Sequence, residues 1–167
     1  MMHKGVFKPL ALFMAAAFLG AGCHSGTKPV AWNVSVNKTT PASIEVDFIG
    51  VSPLEKSSWN DVKPDDYWKP NGSVREGAKK LTTDFQTGST YVLERTNTIW
   101  NEWFNQGATE LMVMANLPGS SYSNGTDDRR RRFLPLNKNA WNSEHKTLQI
   151  EIQDEIIKIL TPQKPQK

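Results

Sequence analysis

The sequence is poor in the residue types on which many enzymes and metal sites depend. It has one cysteine, Cys23, so no disulfide can form within the chain and a four-cysteine zinc site is excluded. Its three histidines are His3, His24 and His145. It also lacks a G-x-S-x-G motif, a phosphate-binding glycine loop and an H-E-x-x-H motif. We therefore predict no catalytic residues, no metal site, no cofactor and no enzymatic activity.

The N-terminal segment has the three-part layout of a bacterial secretory signal. Lys4 and Lys8 make the first part positive, residues 9–19 form an uncharged apolar run of eleven residues, and small residues follow. This run is too short to span a membrane, because a spanning helix needs about 20 apolar residues. Residues 1–22 are therefore predicted to be a signal peptide.

The end of this segment, Leu19-Gly20-Ala21-Gly22-Cys23, resembles the lipobox of bacterial lipoproteins. In the commonest lipobox, two small residues separate the leucine from the cysteine, whereas here three do. The resemblance implies a diacylglyceryl thioether on Cys23, usually with a third acyl chain on its amino group. The alternative is an ordinary cleaved signal that ends near a free thiol.

The resemblance also implies a location. Two or more acyl chains hold a protein stably on a membrane without spanning it. His24 stands where enteric lipoproteins retained in the inner membrane carry an aspartate, so the periplasmic face of the outer membrane is expected. Residues 23–29 read as a lipidated tether, with the membrane as a partner through Cys23.

The charge of the mature chain argues against a nucleic-acid partner. Removal of Lys4 and Lys8 from the 20 basic residues leaves 18 basic against 17 acidic residues. A nucleic-acid binder usually has a strong basic excess on one face. We therefore expect no nucleic acid as a partner. The envelope location implied by the lipobox resemblance makes a protein of the envelope the expected partner.

Alternation of apolar and polar residues indicates β-strands over most of residues 30–160. Residues 32–37 and 43–51 alternate most clearly, and the turn chemistry between them predicts a hairpin. Further strands are expected at residues 80–85, 90–93, 110–117, 131–136, 148–153 and 156–160. We predict a mainly β domain, an antiparallel β-sandwich of about eight strands with one inserted short helix.

Several of these predictions are more detailed. Residues 110–117 are apolar on both faces, which indicates a central strand, and Pro135 places its strand at an edge. The last two strands should form a hairpin through Asp154-Glu155. The inserted helix should begin near Thr98 and end at Gly107. Residues 161–167, which contain two prolines, are predicted to be a flexible tail.

The most unusual motif is Asp127-Asp128 followed by Arg129, Arg130, Arg131 and Arg132. Guanidinium groups bind carboxylates and phosphates in a bidentate manner, so the run is a candidate docking patch for an acidic partner or for lipid headgroups. The alternative is a solvated strand edge that prevents aggregation.

Six tryptophans and the acidic pair Asp65-Asp66 leave two other possibilities open. Tryptophans form sugar-binding platforms, although core packing is their more common role. The acidic pair offers oxygen ligands of the kind that calcium prefers, but its spacing fits no EF-hand and a solvated helix start explains it.

The body of the chain also resembles the outer-membrane lipoproteins of type VI secretion systems. The resemblance lies in Leu111-Met112-Val113-Met114-Ala115, the loop from Pro118, and Arg132-Phe133-Leu134-Pro135-Leu136. It implies a docking or structural role, in which the protein anchors the periplasmic domain of an inner-membrane partner to the outer membrane. The alternative is an envelope lipoprotein that binds carbohydrate or another small ligand.

Overall fold

Eight β-strands form two four-stranded sheets that pack face to face in the computed structural model, which describes residues 27–39, 41–118, 128–143 and 145–165. The predicted signal peptide, Cys23 and Asp127 lie outside these ranges. The strands are β1 (Asn33–Lys38), β2 (Ile44–Val51), β3 (Lys80–Phe85), β4 (Thr90–Leu93), β5 (Glu110–Ala115), β6 (Arg131–Pro135), β7 (Thr147–Gln153) and β8 (Ile156–Ile159). The prediction of a mainly β sandwich with eight strands is confirmed.

The first sheet has the order β4-β1-β7-β8 and the second sheet has the order β3-β2-β5-β6. All neighbours are antiparallel except β1 and β7, which are parallel. β5 lies between two strands, β6 lies at an edge, and β7 and β8 form a hairpin, as predicted.

The predicted hairpin between β1 and β2 is wrong, because these strands belong to different sheets. Both strands show the same alternation of apolar and polar residues, and alternation fixes which face is buried without specifying the partner strand. The chain therefore crosses from one layer of the sandwich to the other between Lys38 and Ile44.

Within the described residues, four short helices accompany the sheets: α1 (Lys56–Asp61), α2 (Pro64–Tyr67), α3 (Ser73–Gly77) and α4 (Ile99–Asn105). α4 is the predicted helix. It buries Trp100 and Trp103, and Gly107 follows it at a φ of 82°. None of the helices in the described ranges is long and apolar enough to cross a membrane.

The other three helices lie between β2 and β3, and we call residues 52–79 the helical insertion. Of these three helices, the sequence indicated only the start of α2, at Asp65-Asp66. α1 and α3 contain no buried residue, so they lack the apolar stripe by which a helix is recognised in a sequence.

The main core lies between the two sheets and is almost entirely apolar. Its buried members include Val34, Val36, Val46, Phe48, Leu111, Val113, Leu148 and Ile150. Each of its four tryptophans also donates its indole N–H to a backbone carbonyl, so the polar atom of each ring is satisfied.

Residues 161–165, which belong to the predicted flexible tail, form hydrogen bonds with the rest of the domain. The amide of Lys164 donates to the carbonyl of Ala140 (2.8 Å), and the amide of Asn142 donates to that of Pro162 (2.9 Å). Thr161 is buried, and its hydroxyl accepts from the amide of Gln149 (2.7 Å). These bonds fasten the C-terminal segment beside the loop that leads into β7.

Candidate functional site: the arginine run and the helical insertion

A smaller core lies on the outer face of the second sheet, beneath the helical insertion. It contains Ile49 and Val51 of β2, Met112 and Met114 of β5, and Tyr67 of α2. The two central strands are apolar on both faces because the insertion covers the face that points away from the main core. Burial of these side chains supplies a hydrophobic driving force for closing the insertion onto the sheet.

Asp47 is a fully buried carboxylate at the rim of this smaller core. It accepts hydrogen bonds from the hydroxyl of Tyr67 (2.7 Å), Nε of Arg75 (2.8 Å) and the hydroxyl of Thr82 (2.6 Å). These three donors come from α2, α3 and β3. A buried charge is tolerated only when it is paired and hydrogen-bonded, so Asp47 fixes the insertion at this position.

The ionisation of this cluster follows from its contacts. Burial raises the pKa of Tyr67, and the neighbouring charge of Asp47 raises it further. Hydrogen bonding to Asp47 raises the pKa of Arg75, and Glu45 adds a second hydrogen bond. The guanidinium of Arg75 also lies 4.3 Å from the centre of the Trp68 ring, a cation–π contact. Tyr67 therefore stays neutral and Arg75 stays charged.

Arg131, in β6, binds the part of the insertion that contains α1. Its side chain is almost completely buried, and its guanidinium donates to the carbonyls of Trp59 (2.5 Å), Val62 (2.7 Å) and Asn60 (3.1 Å). These carbonyls lie at the C-terminal end of α1, where backbone oxygens lack helical partners and attract cations. Burial lowers the pKa of Arg131, an effect that the negative charges of Asp128 and Asp61 oppose.

Arg130 connects the segment before β6 to α2. It forms ion pairs with Asp128 (2.9 Å) and with Asp65 (2.6 Å), and its own side chain is 7% exposed. Burial alone would raise the pKa of Asp128, but hydrogen bonds from Arg130 outweigh it and hold the pKa below its usual value. Asp65 thus serves as an ion-pair partner of Arg130 in this structure.

The remaining two arginines have different surroundings. Arg132 is half-buried, and its Nη1 donates to the carbonyls of Asp128 (2.9 Å) and Arg131 (2.6 Å). Arg129 is exposed, and its backbone carbonyl accepts from the amide of Ile157 in β8 (2.8 Å).

The predicted docking patch of Arg129, Arg130, Arg131 and Arg132 is therefore not a continuous exposed surface. Arg130 and Arg131 are buried because each finds intramolecular acceptors, two carboxylates in one case and three backbone carbonyls in the other. Arg131 and Arg132 belong to β6, which agrees with the strand predicted at residues 131–136. A docking role for the exposed Arg129 stays a prediction.

The tryptophans do not form a platform for sugars. Trp32, Trp100, Trp103 and Trp141 are buried in the main core, while Trp59 and Trp68 pack against the smaller core. His145 is exposed. Within the described ranges, no group of three or more histidine, cysteine, aspartate or glutamate side chains is placed to hold a metal ion.

Sequence reasoning missed Asp47, Tyr67 and Arg75 as a connected group. Asp47 occupies an ordinary polar position in the alternation of β2, which predicts a solvent-facing side chain. Arg75 is 28 positions away along the chain. The sequence did contain one indication of this group. Residues of β2 near Asp47 are apolar on the outer face of the sheet, and such a face must be covered by another part of the chain.

Comparison with known proteins identifies the fold. No protein-family model and no curated protein matches the chain. The crystal structure of the type VI secretion lipoprotein TssJ1 from Pseudomonas aeruginosa is similar, with a TM-score of 0.56 and 12% identity. The match covers 82% of this chain and 99% of that chain. The chain has a type VI secretion lipoprotein-like fold.

Two other solved structures agree with this. A chain in the structure of the TssM C-terminal domain of the type VI secretion system from EAEC matches with a TM-score of 0.55 and 11% identity, covering 77% of this chain and 99% of that one. A chain of a type VI membrane complex matches with a TM-score of 0.50 and 11% identity, covering 78% and 98%. The predicted resemblance to type VI secretion lipoproteins is confirmed at the level of the fold.

Proposed function

We propose that the protein is a lipid-anchored structural component of a type VI secretion apparatus, acting on the periplasmic side of the envelope without catalysing a reaction. The observation that carries this proposal is the likeness to TssJ1, which extends over 99% of that lipoprotein. The predicted secretory signal and the single cysteine at its end add independent support from the sequence.

In this proposal the lipid on Cys23 holds the domain at the periplasmic face of the outer membrane. The sandwich then serves as a rigid body to which the periplasmic domain of an inner-membrane component docks. A solved type VI membrane complex contains a chain of similar fold, which supports a protein partner in the envelope.

The chemistry of the buried charges favours a structural role. Asp47, Arg130 and the partners described above form closed groups in which the carboxylates face guanidinium groups of the same chain. Such groups hold elements together, whereas a catalytic carboxylate must be able to reach a substrate. The alternative of carbohydrate binding has no aromatic platform to support it, since the tryptophans pack in the two cores.

The anchor is tested by mass spectrometry of the mature N-terminus and by labelling with radioactive palmitate. The wild-type protein should carry a thioether-linked diacylglyceryl group on Cys23 and sediment with outer membranes. The Cys23→Ser variant should incorporate no label. A free thiol at residue 23 of the mature wild-type protein would refute the lipid anchor.

The docking role is tested by affinity purification from solubilised membranes of cells that express the tagged full-length protein. We expect a type VI inner-membrane component to be recovered with the wild-type protein. The Cys23→Ser variant is a useful comparison, because the anchor and the docking surface are separate parts of the chain. Recovery of no secretion component under conditions that keep the membrane complex intact would argue against the proposal.

A further inference from the structure

The point at which the tether enters the sandwich is fixed. Pro29 bridges to Asn137, the amide of Val30 donates to the carbonyl of Leu136 (2.9 Å), and the indole of Trp32 donates to the same carbonyl (3.3 Å). The chain N-terminal to Pro29 therefore leaves the domain beside the loop that follows β6.

Strand register shows which loops share this end of the sandwich. The start of β1 pairs with the start of β7 (Asn33 with Thr147) and with the end of β4 (Val34 with Leu93), and Ile150 of β7 pairs with Ile159 of β8. Loops that follow β4, β6 and β8 thus lie together with the tether. We call this the tether end, which consists of residues 27–32, 52–55, 78–79, 94–98, 106–109, 136–143, 145–146 and 160–165.

The tether end carries an excess of exposed positive charge. Its exposed basic side chains that form no ion pair within the described residues are Lys28, Arg95, Lys138, Lys146 and Lys164. Against these five cations, the corresponding exposed acids within the described part of this end are Glu55 and Glu94. The turns at the opposite end of the described structure expose Asp154 and Glu155 against Arg129. The molecule is therefore polarised along the strand direction.

The same end carries the most exposed large hydrophobic side chain of the described residues. Leu54 follows the end of β2 and is 92% exposed. Val51 pairs with Glu110, which pairs with Pro135, so the chain after β2 emerges at the tether end. Cationic side chains and an exposed leucine at the same end of a domain are the combination that binds at the interface of an anionic membrane.

We infer that the tether end is a membrane-facing surface that binds the anionic headgroups of the bilayer in which the lipid is anchored. This inference rests on the proposed anchor at Cys23. Six peptide units separate Cys23 from Pro29, and at no more than about 3.6 Å per residue they hold the domain within about 20 Å of the lipid. The five cations therefore come close to the headgroups, where attraction acts over a Debye length of about 8 Å.

The consequence is a preferred orientation of the domain on the membrane. With the tether end against the headgroups, the strands run away from the bilayer and the acidic turn of Asp154 and Glu155 points into the periplasm. The anchored protein then presents its opposite end to a partner that arrives from the inner membrane. Without the cationic surface, a short tether would limit the height of the domain but leave its orientation free.

The test uses the purified, lipidated full-length protein in vesicles of phosphatidylethanolamine alone or with phosphatidylglycerol. Acetylation of lysines is followed by mass spectrometry. Lys138, Lys146 and Lys164 should label more slowly in the anionic vesicles than in the neutral ones, and high salt should remove the difference. Lys63 and Lys158, which are exposed outside the tether end, serve as internal controls and should label equally in both. Equal labelling of all five lysines would overturn the inference.

A pair of matched variants separates this surface from general electrostatic attraction. Lys138→Gln with Lys164→Gln should weaken the binding of the tether end to anionic headgroups, by about fivefold for each cation near the membrane. Because the acyl chains keep the protein on the vesicle, this is read as a smaller slowing of Lys146 acetylation in the anionic vesicles. Lys63→Gln with Lys158→Gln makes the same change in net charge and should leave binding nearly unchanged. Equal effects of the two pairs would overturn the inference.

The experiments distinguish a failure of the proposed lipid anchor from a failure of the proposed membrane-facing surface. Acylation of Cys23 is read from the mass of the protein and from sedimentation with neutral vesicles, neither of which depends on the cations. If Cys23 is acylated but the lysines label equally, the inference fails and the proposed function stands. If Cys23 is not acylated, the anchor in the proposed function fails. Salt-sensitive binding of the full chain to anionic vesicles, weakened only by the tether-end pair, would then still support the surface.

Discussion

The two cores of this protein are held together in different ways. The main core joins two sheets through apolar side chains and four tryptophans whose indoles are satisfied by the backbone. The smaller core has five buried apolar residues, and buried charged side chains at its margins form hydrogen bonds that hold the helical insertion in place. Asp47 connects β2 to the helical insertion through Tyr67 and Arg75 and to β3 through Thr82. Arg131 connects β6 to the insertion through three hydrogen bonds.

This difference implies different responses to mutation. A core of apolar side chains loses stability according to the volume removed, because the cavity left behind relaxes only partly. A core completed by buried charges is sensitive to the loss of one partner, since the remaining groups are left without compensation. The predictions below test whether the two cores differ in this way.

The largest effect is expected from Trp103→Ala, in the main core. Trp103 is fully buried, forms an edge-to-face contact with Trp100 (5.1 Å) and lies so close to Gly50 that a Cβ there would overlap its ring. We expect a loss of about 3–5 kcal/mol in the free energy of unfolding, measured by chemical denaturation. Leu54→Ala, at an exposed position, is the control. A neutral result for Trp103→Ala would contradict its role in the core.

The next largest effect is expected from Asp47→Ala, in the smaller core. The substitution leaves Tyr67, Arg75 and Thr82 without their common acceptor. We expect a loss of about 3 kcal/mol, at the lower end of the range for a broken buried ion pair because Arg75 retains some contact with water. Glu45→Gln is the matched control, since Glu45 also binds Arg75 but is 40% exposed and should contribute under about 1 kcal/mol. Equal losses for the two variants would refute the special role of Asp47.

Arg131→Met should cost somewhat less, because it removes a buried charge together with its hydrogen bonds. The carbonyls of Trp59, Asn60 and Val62 lose their donor, and we expect a loss of about 2 kcal/mol. The effect on the helical insertion should be larger than the effect on the rest of the domain. Amide hydrogen exchange should accelerate in residues 56–62 and remain unchanged in β1 and β7. Uniform acceleration across both sheets would mean that Arg131 stabilises the whole domain rather than the insertion.

The contrast between the cores also explains what the sequence could predict. Alternation in β1, β2 and β7 marks the side chains that face the main core, and the spacing of Trp100 and Trp103 indicates one buried face of α4. These patterns are local, so they can be read from neighbouring positions. Alternation does not specify partner strands, and this is why β1 and β2 were wrongly paired.

The smaller core was not predictable for a related physical reason. Its charged contacts join residues far apart in the chain, such as Arg131 with Trp59 and Arg130 with Asp65. A run of four arginines appears in the sequence as an exposed surface, because unpaired arginines are rarely buried. Only the fold shows that Arg130 and Arg131 have hydrogen-bond acceptors within the same chain.

Acid should weaken the smaller core through Asp128. Its pKa is held below the usual value, mainly by hydrogen bonds from Arg130 that outweigh the effect of burial. The ionised carboxylate therefore contributes stability above its unfolded pKa of about 3.9, and this contribution is lost as the pH falls through the lower, folded pKa. The free energy of unfolding, measured from pH 5 downward, should fall less steeply in Arg130→Gln than in the wild-type protein. Parallel curves would show that the pair does not contribute.

The smallest effect is expected from Arg129→Gln, which makes a useful comparison with Arg131 because the two residues belong to the same run. The side chain of Arg129 is exposed, and its contact with Ile157 uses the backbone carbonyl, which the substitution retains. The free energy of unfolding should therefore change by less than about 0.5 kcal/mol. If Arg129 is the part of the run that docks a partner, recovery of that partner should fall in a salt-sensitive manner while the fold is unchanged. If recovery of the partner is unchanged at low and at physiological salt, the role of Arg129 is limited to the solvated strand edge. A loss of stability as large as that of Arg131→Met would contradict the division of the run into buried and exposed arginines.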